Sequence, residues 1–85
     1  MEWQTTSRED EYIIYLQGYS ISLSLLSLGY EIVLRSENGK VIDNFTISFG
    51  APYWEKAGEV FSTARRQALK IDEAVEEVIK QLRSA

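Results

Sequence analysis

Side chains that act as nucleophiles, acids or bases near neutral pH are scarce in this 85-residue sequence, which has no histidine and no cysteine. That removes His-dependent triads and acid–base pairs, thiol redox chemistry and Cys/His zinc sites together. Any remaining catalysis would need paired carboxylates, an activated lysine or a Ser–Lys pair. Asp43 is the one acid expected beside apolar surface, and no acidic partner is evident for it. The five glycines fall at 18, 29, 39, 50 and 58, scattered as turns are and unlike a phosphate-binding loop. We therefore expect a protein that is not an enzyme and has no catalytic residue, cofactor or metal.

Binding chemistry has more to work with. Arg65, Arg66 and Lys70 form the base-rich stretch, with no acid between Ser62 and Ile71. A solvated helix surface accounts for them, and contact with phosphate or an acidic partner is the sharper alternative. Glu9-Asp10-Glu11 is an acidic run whose carboxylates alternate in direction, a poor metal cage and a reasonable solubilising, edge-protecting segment. Alternation in the first half also places Tyr15, Ser22, Ser24 and Arg35 on one sheet face. Hydroxyls, an aromatic ring and a guanidinium there could serve as a shallow ligand or nucleic-acid face.

The elements that must position these groups are legible from periodicity. The hydrophobic period changes once, from 2 to about 3.6, near Pro52. Four strands are expected within residues 11–50, in an antiparallel meander. Gly18-Tyr19 is expected to form a type II′ turn pairing Leu16 with Ile21 and Tyr12 with Leu25. Asn38-Gly39 is expected to form a type I′ turn pairing Ile32 with Phe45, Tyr30 with Ile47 and Leu34 with Asp43. Residues 1–10 are expected to be extended or partly ordered. Pro52 is placed as the first residue of a helix over 52–84. Apolar residues recur at 57, 61, 64, 68, 71, 75, 78 and 82. A continuous helix over residues 53–83 would be about 46 Å long, more than its own sheet can cover. Either it breaks near residues 71–72, with Asp72 as a cap, or its far half packs elsewhere.

The expected architecture is thus a single α+β domain of order ββββα, its long C-terminal helix packed on one sheet face. This order of elements, over about 75 residues, resembles the half-unit of Pur-type and Whirly-type single-strand nucleic-acid binders. The resemblance implies dimerisation and a nucleic-acid-binding sheet. None of the motifs of those families falls on residues of this sequence.

Charge narrows the functions. The net charge is −4, and it resides in residues 1–52, which carry three bases and seven acids. Such a balance repels a phosphate backbone over long range. No basic segment followed by an apolar run opens the chain, and no stretch is long enough to span a bilayer, so a soluble cytoplasmic protein without membrane contact is expected. The first functional expectation is a protein-interaction or regulatory module. It would be a homodimer joined through Ile71, Val75, Val78, Ile79 and Leu82 on the second half of the helix. Single-stranded nucleic-acid binding is the second, through Tyr15, Ser22, Ser24 and Arg35 with Arg65, Arg66 and Lys70 nearby. A third is an acidic protein that fills a partner's basic groove, presenting Glu9, Asp10, Glu11, Glu31, Glu37 and Asp43.

Overall fold

The structure is a computed structural model and describes residues 2–84. It is α+β, with five antiparallel strands in sequential order followed by two helices. The strands are β1 (Gln4–Thr5), β2 (Glu11–Leu16), β3 (Tyr19–Leu26), β4 (Gly29–Ser36) and β5 (Val41–Ser48). The helices are α1 (Trp54–Ala68) and α2 (Ile71–Ser84). The expected four strands and one helix are corrected in both counts.

The added strand comes from the N-terminal segment. Gln4 and Thr5 pair with Ile13 and Tyr12 of β2. Trp3 then packs against the core, and its backbone N–H donates to Gln67 Oε1 of α1 at 3.2 Å. β1, and not the acidic run, is therefore the sheet's edge on this side.

Turn chemistry shifts one register and refines another. β2 and β3 pair Leu16 with Tyr19, Ile14 with Ile21 and Tyr12 with Leu23. Gln17-Gly18 is the loop, and the positive φ of 80° falls on its second residue, as a type II turn requires. The expected type II′ register is thus two residues out. A slip of two preserves the face of every side chain, because the strand period is two. In the β4–β5 hairpin the expected core pairs form: Ile32 with Phe45, Tyr30 with Ile47, and Leu34 with Asp43. Its tip differs, because only Gly39 has positive φ (86°) and the pairing shifts between Leu34 and Arg35. Gly39 N–H donates to Ser36 O at 2.9 Å, closing a three-residue loop in place of the type I′ turn.

α1 begins at Trp54, two residues after Pro52, with Tyr53 as its N-cap at φ 70°. Its buried residues, Ala57, Phe61 and Ala64, follow the expected spacing and cover part of one sheet face. Phe61 lies between Tyr12 (centroids 5.3 Å) and Tyr30 (5.4 Å). Tyr30 meets Phe49 edge-on at 5.7 Å, and Phe49 meets Trp54 at 6.2 Å, extending the aromatic contact to the start of α1. Val60 and Trp54, on the same helix, are exposed.

The long helix breaks at Leu69-Lys70. Lys70 takes a left-handed φ of 52°, a conformation costing a non-glycine residue about 1 kcal/mol. Ala74 N–H donates to Lys70 O at 3.1 Å, so Lys70 and not Asp72 holds the capping position before α2. α2 touches α1 and no strand.

Gly29 marks the tightest approach in the sheet. A β-carbon there would lie 2.2 Å from Ile47 O and 2.8 Å from Ser48 Cα, both backbone atoms. We expect Gly29→Ala to lower the unfolding free energy by about 1–3 kcal/mol. Urea denaturation would measure it, with Leu28→Ala, at a residue 77% exposed, as a control that changes little.

Candidate functional site

Pairing fixes what each sheet face offers. The open face, opposite α1, carries three cross-strand rows: Glu11–Ser24–Glu31–Thr46, Ile13–Ser22–Val33–Asn44, and Tyr15–Ser20–Arg35. The central serines are buried, Ser22 at 3% exposure, because the longer side chains on β2 and β4 lean over them. Buried hydroxyls need partners. Arg35 Nη1 donates to Ser22 Oγ at 3.1 Å, and Ser24 Oγ donates to Glu11 Oε2 at 2.9 Å. Thr6 Oγ1 donates to Glu11 Oε1, also at 2.9 Å, and Arg8 lies 3.6 Å from the same carboxylate.

Above these rows lies a cleft of about 630 Å³, lined by Glu11, Ile13, Tyr15, Ser20, Ser22 and Arg35 among others. Tyr15, Ser22 and Arg35 come together there as expected, with Ser24 in the adjoining row. The cationic trio does not join them. Arg65 and Arg66 lie on α1, against the other sheet face, and Lys70 lies at the helix break. Arg65 lines a separate recess with the 5–12 segment and Leu69. Arg66 pairs with Asp72 at 3.1 Å across the break, which occupies one cation expected for phosphate.

The face under α1 is apolar and only partly covered. Its rows are Tyr12–Leu23–Ile32–Phe45, Ile14–Ile21–Leu34–Asp43 and Leu25–Tyr30–Ile47. Beside α1 runs a groove of about 330 Å³ that includes Ile21, Leu23, Ile32 and Ile47 on its floor, with Val60 and Lys56 on its wall. Tyr53 and Trp3 also line it. Sequence reasoning missed this groove, because it depends on how much sheet one helix covers.

α2 carries the second apolar surface. Val75, Val78, Ile79 and Leu82 are 45–71% exposed and Ile71 is half-buried. With Leu69 and Ala74, four of these five line a shallow recess of about 290 Å³ along the helix. All five expected seam residues thus share one stripe, and no residue of α2 is buried.

Among the described residues no cluster of three or more Asp, Glu, His or Cys side chains is arranged to hold a metal. No helix there is long and apolar enough to cross a membrane. Comparison with known proteins finds no family model, no curated protein and no solved structure that matches the chain.

Glu11 holds the open face in shape by accepting from two hydroxyls. Glu11→Ala leaves Ser24 without its acceptor and should cost about 1–3 kcal/mol of stability. Glu11→Gln keeps an acceptor oxygen and should cost less than half as much, both read by urea denaturation.

Proposed function

We propose that this chain is a non-enzymatic protein-interaction module that works as a homodimer joined through α2. The observation that carries the reading is the amount of surface the protomer leaves open. Its accessible surface is 6493 Å². A folded monomer of 9.8 kDa is expected to expose about 5,200 Å². The excess, roughly 1,300 Å², exceeds the approximately 800 Å² that one partner contributes to a standard interface. Shape agrees: the radius of gyration is 15.4 Å, against about 12 Å for a compact chain of this length.

α2 contributes to it, since none of its residues is buried. Its apolar stripe includes Ala74 and is wider than the narrow seam of a two-stranded coiled coil. A 14-residue helix is marginal by itself in water. Such a helix gains its stability from packing, which the protomer alone supplies only near Ile71.

Nucleic-acid binding has weaker support. Tyr15 and Arg35 share the open face with Glu11 and Glu31, while Arg65, Arg66 and Lys70 sit away from it. The acidic set is likewise dispersed, with Glu11 and Glu31 on the open face and Asp43 on the opposite one.

Sedimentation equilibrium tests the proposal. The wild-type chain should have twice the 9.8 kDa mass at micromolar concentration. Val75→Glu, at a half-exposed position, should sediment as a monomer with unchanged sheet signal by circular dichroism. A wild-type monomer at all concentrations up to about 1 mM, a range weak enough to exclude any stable dimer, would overturn it.

A further inference from the structure

We infer that the cleft on the open sheet face binds a small aromatic carboxylate, with Arg35 and Ser20 holding the carboxylate and Tyr15 the ring. The inference concerns the face opposite α1 and does not rest on the dimer reading.

Arg35 is the first reason. Two ion pairs join side chains of the described residues, Arg8–Glu11 and Arg66–Asp72, and Arg35 belongs to neither. Its guanidinium donates once among the described residues, to Ser22 Oγ at 3.1 Å. Most of the five N–H donors of an arginine are therefore left for another acceptor. The same bond sets its direction. Ser22 stands in the next row, on β3, so the Arg35 side chain leans over the middle of the sheet. The pairing shift between Leu34 and Arg35 falls at this residue, and such shifts re-aim the side chains beside them.

Ser20 is the second reason. It is 7% exposed, and its hydroxyl makes no hydrogen bond among the described residues. No fully enclosed side-chain polar atom of those residues lacks a partner, so Ser20 Oγ opens to the cleft it lines. A hydroxyl so nearly enclosed has its remaining hydrogen bond to make there.

The sheet puts these groups in one row. Ser20 pairs with Arg35 on one side and with Tyr15 on the other. Directly opposed residues have β-carbons about 5 Å apart, so a carboxylate on Arg35 is within reach of Ser20. Tyr15 stands two strands from Arg35, about 10 Å away, a span that a ring and its carboxylate can bridge. Tyr15 is 57% exposed and, unlike Tyr12 and Tyr30, has no aromatic neighbour among the described residues. Its ring is thus free to meet another.

Charge and size narrow the ligand. Glu11 and Glu37 also line the cleft, and the chain carries −4 overall. One guanidinium among them suits a planar monoanion, which it grips with two parallel N–H donors, better than a phosphate dianion. The volume of about 630 Å³ lies within the ordinary range of small-molecule sites.

Titration of the isotope-labelled chain with sodium benzoate at neutral pH and constant ionic strength, followed by amide resonances, tests the assignment. Ser20, Ser22 and Arg35 should shift saturably, with a Kd of about 10 mM or tighter. Benzamide, which keeps the ring without the charge, and acetate, which keeps the charge without the ring, should each bind at least about tenfold more weakly. Arg35→Met should weaken benzoate by about tenfold to a hundredfold. Ser20→Ala leaves the Arg35–Ser22 bond in place and should weaken it by about threefold to tenfold at unchanged Tm. No saturable shift up to about 100 mM benzoate overturns the site. Benzamide binding as tightly as benzoate, or inorganic phosphate binding more tightly, overturns the carboxylate. Acetate matching benzoate overturns the ring. Affinity unchanged in Arg35→Met overturns the role of the guanidinium. Should that variant not fold, Ser20→Ala decides, and unchanged affinity there overturns the assignment.

Discussion

The position of Phe61 governs the rest of this structure. Its ring is held between Tyr12 on β2 and Tyr30 on β4, about 5 Å from each. Ala57 and Ala64, one turn to either side, let the helix backbone approach the sheet closely enough for that contact. Aromatic contacts of this geometry add about 0.5–1.5 kcal/mol each beyond the area they bury. A single helix anchored there covers one diagonal band of a five-stranded sheet. Part of that face is left half-covered, and the groove floored by Ile21, Leu23, Ile32 and Ile47 follows from that.

Much of this was readable in the residues, and the limits have physical causes. Period-2 alternation assigned nearly every strand side chain to its proper face, and even the two-residue error at Gln17-Gly18 left those faces unchanged. The same error hid the polar network. In the expected register Ser24 stood opposite Ile13, whereas in the structure it stands opposite Glu11, which accepts its hydrogen bond. β1 escaped notice because two residues carry no periodicity, and it is tertiary packing of Trp3 that holds them. The helix break was placed within two residues, yet its agent was unreadable. A lysine at positive φ leaves no mark that a glycine would. The stripe on α2 was legible, since it depends only on helical spacing. The groove was not, since it depends on where another helix stops.

The two sheet faces obey different physics. On the open face, small hydroxyls are buried beneath longer side chains and satisfied by Glu11 and Arg35. No buried side-chain polar atom among the described residues lacks a partner there, so the arrangement does not depend on excluding water. The face under α1 has few polar groups to satisfy and gains stability only by excluding water.

Leu69 and Lys70 do more than separate two helices. Each residue of an α-helix advances the side-chain direction by about 100°. One residue added to or removed from this joint would leave the sheet, α1 and α2 intact as elements. It would nonetheless rotate the stripe of α2 through more than a quarter turn relative to α1. The joint therefore acts as a phase setting, and the direction in which the chain offers the apolar stripe of α2 is written in the length of two residues.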